Sequence, residues 1–171
     1  MEKQMAFALD LDICSGCLAC VVACRDQNDE KAPDAPAYRT VTLLEKKLPG
    51  ETDIRMNFLS LACVHCSDAP CLMVCPVGAI FRDEATGAIG ITRSLCVGCH
   101  SCELACPFGA PKFASDGKMA KCDFCYVRQQ FGLKPACVHT CTTRALKFGE
   151  LAEITKAKTE QASLLILENV N

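Results

Sequence analysis

The sequence predicts an α+β chain of two nested cysteine-rich modules, with short helices, small β-hairpins and many loops. Three observations predict it. Cysteine supplies 16 of 171 residues, well above its share in an ordinary domain. Those cysteines fall into four groups of four with related spacing, an internal repeat. Aromatic residues make up only 6% of the chain and Trp is absent. A large conventional core is therefore not expected, and metal or disulfides must hold the chain together.

The N-terminal stretch MEKQMAFALDLDIC has no basic region followed by an apolar one, and no twin arginine. Without such a signal, dense cysteines favour metal over disulfides. A cytoplasmic location is expected, with a periplasmic one open to a subunit exported alongside a partner. The longest apolar run, LLIL at 164–167, falls far short of the roughly 20 residues of a membrane span. A net charge of −2 argues against a nucleic-acid partner.

The first group is Cys14, Cys17, Cys20 and Cys24; the second is Cys63, Cys66, Cys71 and Cys75. The third is Cys96, Cys99, Cys102 and Cys106; the fourth is Cys122, Cys125, Cys137 and Cys141. Between groups one and two, 38–47 and 52–63 read as two strands around a turn at Pro49 and Gly50. Residues 79–92 read as a short hairpin turning at Thr86 and Gly87, 151–167 as a helix, and 31–37 as a surface loop.

Groups one and three read C-x2-C-x2-C-x3-C, the spacing of bacterial ferredoxins. Three thiolates two residues apart curl around one corner of an iron–sulfur cubane. The fourth, after x3, begins a helix, points away, and ligates the other cluster of a pair. The groups must therefore pair. Groups two and three are separated by only 20 residues, 76–95, and each is followed by proline, Pro76 and Pro107. Pairing two with three leaves one with four. The expected quartets are Cys14, Cys17, Cys20 with Cys141; Cys63, Cys66, Cys71 with Cys106; Cys96, Cys99, Cys102 with Cys75; and Cys122, Cys125, Cys137 with Cys24. The domains expected are an outer ferredoxin-like module at 1–30 plus 116–150, an inner one at 57–115, a hairpin insertion at 31–56, and a C-terminal helix and tail at 151–171. Zinc is the rival metal, but zinc ribbons use two separated C-x2-C pairs, not three cysteines at successive short gaps.

The stretches MNFLSLACVHCSDAPCLMVCPVGAI, CVGCHSCELACPFGAPKF, KCDFC and PACVHTCTTRALKFG resemble the four-cluster iron–sulfur subunits of molybdenum and tungsten pterin oxidoreductases. The dimethyl sulfoxide reductase electron-transfer subunit is the best-known type. The resemblance implies four [4Fe-4S] clusters, the nested pairing, and a non-catalytic subunit. It implies as partners a larger Mo- or W-pterin subunit and a second redox partner: ferredoxin, a flavin subunit, a membrane subunit or another copy. This chain is compact, like the subunits serving tungsten aldehyde oxidoreductases. A free polyferredoxin carrier, a hydrogenase or formate–hydrogen subunit, and a zinc scaffold are the alternatives.

Other residues stand near the cysteines. His65, His100 and His139 lie inside the groups, but the cysteines already satisfy four cubanes, so tuning or solvent-facing roles are expected. Arg25, Arg82, Lys112, Lys121 and Arg144 lie beside them as either potential-raising charges or ordinary solvated ones. Gly16, Gly78, Gly98 and Gly109 are expected to permit tight turns. LLIL is either a docking patch or a helix end packed on its own domain. No nucleophile–base pair and no phosphate loop is visible.

Overall fold

The computed structural model describes residues 4–28, 37–47 and 54–169, with side chains described as far as 164. In chain order the elements are β1 (Met5–Leu9), α1 (Ala19–Gln27), β2 (Thr40–Lys47), β3 (Ile54–Leu61), α2 (Pro70–Met73), β4 (Ile80–Arg82), β5 (Ile89–Ile91), a 3-10 turn at Arg93–Leu95, α3 (Ser101–Ala105), β6 (Lys112–Phe113), β7 (Met119–Ala120), α4 (Tyr126–Gln130), α5 (Ala136–His139), β8 (Leu146–Glu150) and α6 (Leu151–Asn169). The result is a small α+β fold of short helices and two-stranded antiparallel sheets.

The β2–β3 and β4–β5 hairpins fall within the stretches read as strand pairs, pairing Thr40 with Leu61 and Ile80 with Ile91. The turn expected at Pro49 and Gly50 and most of the loop at 31–37 lie outside the described residues. The turn at Thr86 and Gly87 is built by Asp83. Its carboxylate accepts from the Thr86 N–H at 2.9 Å and the Thr86 hydroxyl at 2.6 Å. Gly87 then takes φ +70°, a conformation glycine adopts without a Cβ penalty.

One sheet was not expected. β1 pairs antiparallel with β8, from Met5 opposite Glu150 to Leu9 opposite Leu146. The pairing joins the two ends of the cysteine-bearing chain. Phe7 and Phe148 sit opposite each other in it, and with Phe124 they form an aromatic triad with ring centroids 5.1–5.3 Å apart. The Met5 N–H also donates to Thr86 O at 2.9 Å, so the terminal sheet is tied to the β4–β5 turn.

The core reflects the poverty of large side chains. It splits into two clusters, one around Ala62, Cys63, Ala110, Cys122 and Phe124, the other around Cys71, Ile80, Ile89, Cys102 and Met119. Cysteines are part of both, so whatever the sulfurs hold is held in the core. The expected C-terminal helix is present as α6; Leu164 is 61% exposed, and the side chains of 165–167 lie outside those described. Among the described residues no helix is long and apolar enough to cross a membrane.

Candidate metal centre

The same backbone device recurs in each cysteine group. The residue just before the second cysteine is left-handed in all four: Gly16 (φ +65°), His65 (+51°), Gly98 (+69°) and Phe124 (+63°). The turn lets two cysteines three residues apart point their sulfurs to one side. Two groups fill the position with glycine. The other two accept the strain of a left-handed side chain, about 1–2 kcal/mol, and use that side chain for packing. A second left-handed residue follows the last cysteine at Gly78, Gly109 and Arg144. Beyond it the backbone N–H of Ala79 donates to Cys75 Sγ at 3.3 Å, and that of Ala110 to Cys106 Sγ at 3.5 Å. The N–H of Leu146 reaches Cys141 Sγ at 3.4 Å. Such bonds stabilise sulfur that carries negative charge.

The structure gathers the sulfurs as follows. Cys14, Cys17, Cys20 and Cys141 line one cavity, with Leu9, Val41 and Ser60 among its walls. Cys63, Cys66, Cys71 and Cys106 line a second, beside Pro107 and Lys121. Cys75, Cys96, Cys99 and Cys102 line a third, beside Phe113 and Met119. Each of the three has a cavity volume of about 20 Å³. The remaining cysteines are brought together by packing of α1, which carries Cys24, on α5, which carries Cys137. Burial, then the neighbouring Cys137 thiol, pushes the Cys24 thiol up to about 12. Burial likewise raises Cys122, Cys125 and Cys137.

All sixteen cysteines are free of disulfides. A Zn(Cys)4 site holds its sulfurs about 2.3 Å from one ion, and among the described residues no three His, Cys, Asp or Glu side chains converge in that way. The donor set is four thiols around a space, which fits a group with volume of its own.

Residues 54–151 match the 4Fe-4S dicluster domain family. The chain belongs to this family. Its cofactors are [4Fe-4S] clusters, and its sixteen cysteines are enough for four. The chain is also 36% identical over 170 residues to the B subunit of the anaerobic dimethyl sulfoxide reductase of Escherichia coli K12, covering 96% of this chain and 82% of that subunit. It is 37% identical over 160 residues to the probable anaerobic dimethyl sulfoxide reductase subunit YnfG of the same strain, covering 90% and 77%. Protein NrfC of that strain is 43% identical over 145 residues, covering 83% of this chain and 63% of NrfC.

In this 4Fe-4S dicluster protein each set of cysteines adjoins the next. The Cys20 charge acts on Cys137, so the Cys14 cavity neighbours the Cys24 quartet. Cys122 shares a core cluster with Cys63 and Cys106. Cys71 and Cys102 share the other. These contacts form a series from the Cys14 cavity through Cys24 and Cys137 and the Cys63 cavity to the Cys96 cavity. Its two ends carry the exposed cysteines, Cys17 and Cys99. Both thiols are held below their usual range: Cys17 by the Ala19 N–H and the Thr142 hydroxyl, Cys99 chiefly by the Ser101 hydroxyl.

The charged residues divide in a way the sequence did not reveal. Lys121 is buried, its Nζ donating to Ile89 O and, at 2.9 Å, to Cys122 O. Arg82 donates to the carbonyls of Cys66, Ser67 and Gly87. Arg144 is exposed. His65 is not solvent-facing. It is 1% exposed, accepts the Ile89 N–H at its Nδ1, and is kept neutral by burial, with the Lys121 and Arg82 charges acting the same way. His100 is exposed, stacked on Phe113 and paired with Glu103. Arg39, the most buried cation among the described residues, lies far in sequence from any cysteine.

Proposed function

We propose that the chain is an electron-transfer subunit carrying four [4Fe-4S] clusters in a row, serving a Mo- or W-pterin catalytic subunit. The clusters are assigned to Cys14, Cys17, Cys20 and Cys141; to Cys24, Cys122, Cys125 and Cys137; to Cys63, Cys66, Cys71 and Cys106; and to Cys75, Cys96, Cys99 and Cys102. The chain is then two nested ferredoxin-like modules, 1–30 plus 116–150 around 57–115, with 31–56 as an insertion and 151–171 as an appended helix and tail.

One observation carries the reading. Three cysteine quartets, each drawn from two different groups, ring cavities of near-equal size. Equal cavities with equal donor sets suit one repeated group. The pairing of β1 with β8 supports the outer module, since it brings the first cysteine group to the last. A bound cluster accepts or gives one electron. The protein supplies spacing, burial and N–H···S bonds, and we assign it no substrate chemistry of its own.

The two ends of the row supply the contacts with partners. Near Cys17, Leu18 and Val22 are exposed, and near Cys99, Val97 and Leu104 are. One end is assigned to the catalytic subunit, whose chemistry the names of the dimethyl sulfoxide reductase relatives suggest. The other is assigned to a ferredoxin, flavin subunit, membrane subunit or second copy.

The test is anaerobic purification of the native protein with whatever remains bound, followed by elemental analysis and low-temperature EPR. Iron at about four atoms per cubane, interacting cubane signals, and Mo or W in a larger partner are expected. Full iron with no second metal and no partner would instead identify a free polyferredoxin. Nickel in the partner would identify a hydrogenase-type complex. Zinc in place of iron would overturn the reading.

A further inference from the structure

Arg39 precedes β2 and is 1% exposed, placing it among the largest fully buried side chains. Its Nη1 donates to the Ser60 hydroxyl at 3.0 Å and to Ser60 O at 3.4 Å. Its guanidinium lies 4.6 Å from the Phe7 ring centroid, a cation–π contact. Its Nε and Nη2, both buried, have no hydrogen-bond partner. Guanidinium does not lose its proton in proteins. A buried, half-satisfied cation is strongly unfavourable unless negative charge lies beside it.

Among the described residues sulfur can supply that charge, and the Asp123 carboxylate also acts on Cys24 and Cys125. The Arg39 charge acts on Cys24, Cys122 and Cys137, opposing in each case the burial that raises the thiol. The Ser60 hydroxyl that accepts from Arg39 also lies 3.4 Å from Cys20 Sγ. The cation therefore stands between Cys20 of the first quartet and the cysteines of the second, on which its charge acts.

We propose that Arg39 is a positioning residue for the cluster of Cys24, Cys122, Cys125 and Cys137, its Nε and Nη2 donating to that cluster's sulfurs and its charge favouring the reduced form. The proposal rests on the quartet assignment above. It makes the second cluster easier to reduce than the same four cysteines alone would. It also gives the buried guanidinium a counter-charge.

The experiment compares wild type, Arg39→Gln and Arg39→Lys, each purified anaerobically as the native complex. Iron content is measured and the couples are titrated by EPR. In Arg39→Gln one couple should fall by at least tenfold in its reduced-to-oxidised ratio, about 59 mV for one electron, while the others hold. Arg39→Lys keeps the charge and loses the planar fork, so the same couple should fall by less. Full iron with every couple unmoved in both variants overturns the role, as does an equal shift of all couples, which marks general loosening. If Arg39→Gln fails to retain iron, Arg39→Lys decides: a fall in one couple supports the role and an unmoved set overturns it. Wild type with its cubane signals beside unshifted variants rejects Arg39 alone. Wild type without cubane signals rejects the quartet assignment and Arg39 with it.

Discussion

The sulfur of Cys17 lies 3.6 Å from the hydroxyl of Thr142, although 125 residues separate them in the chain. The contact crosses from the first cysteine group to the last and places a hydrogen-bond donor on a proposed ligand, the exposed Cys17. Hydrogen bonds to cluster sulfur raise the potential. Thr142→Val should therefore lower one couple by the worth of a single exposed bond, about 0.5–1 kcal/mol. Thr142→Ser should restore it. EPR-monitored titration of the anaerobic protein reads both, and identical potentials in all three forms would show the contact to be idle.

Exposure of ligands predicts the order in which clusters are lost. Cys17 and Cys99 are exposed, whereas Cys24, Cys122 and Cys137 are buried. Under a slow chelator, the clusters at the two ends should go first and that of Cys24 last. Alkylation followed by mass spectrometry should find Cys17 and Cys99 among the first thiols released. The freed thiols should also differ in pH response. The thiolate is the reactive form, and its fraction rises with pH through the pKa. Cys17 and Cys99, held low by hydrogen bonds, should reach half-maximal alkylation at lower pH than Cys102. Burial pushes the Cys102 thiol up to about 11.

Phe124 is fully buried and stacks on His65 with ring centroids 3.6 Å apart. Each is the left-handed residue of its own cysteine group, so the stack joins two groups at their turns. Phe124→Ala should cost about 3–5 kcal/mol, the usual loss for a core phenylalanine. Anaerobic urea unfolding measures it. A loss below about 1 kcal/mol, far under that usual range, would mean that the clusters, rather than the aromatic contacts, hold this region.

Two glycines with the same backbone conformation should respond differently to alanine. A Cβ on Gly98 would stand 2.5 Å from Gly117 O, whereas one on Gly109 would meet nothing within 4 Å. Gly98→Ala is expected to lose about one cubane of iron, roughly four atoms. Gly109→Ala is expected to keep its iron and lose only the left-handed penalty of about 1–2 kcal/mol. Iron analysis and thermal unfolding separate the two. Equal iron in both variants would show that the Gly117 backbone can yield.

Much of the fold was legible where the signal was local. The β4–β5 hairpin could be read from Thr86 and Gly87, the β2–β3 strands from the turn signals Pro49 and Gly50 between them, and α6 from its composition. The terminal sheet could not. β1 is five apolar or small residues, MAFAL, and nothing in so short a run names a partner at 146–150. The left-handed sites were visible where they were glycine and invisible at His65 and Phe124, where packing offsets the strain. At the candidate site the sulfurs announced themselves by spacing, while the cations did not. Of the charges near cysteines in sequence, Lys121 is buried whereas Arg144 is exposed. Arg39, remote in sequence, is folded inward because the β2–β3 hairpin and Phe7 cover it.

The pairing of β1 with β8 also sets an order of manufacture. A ribosome adding about 5–20 residues per second releases Cys63 to Cys106 as one continuous stretch. Cys14, Cys17 and Cys20 emerge earliest of all, yet Cys141, which lines their cavity, is made late. A newborn chain thus carries open thiols at its front for most of its synthesis. Oxygen and stray metals can reach them throughout that interval, so the cell must guard the first-made cysteines the longest.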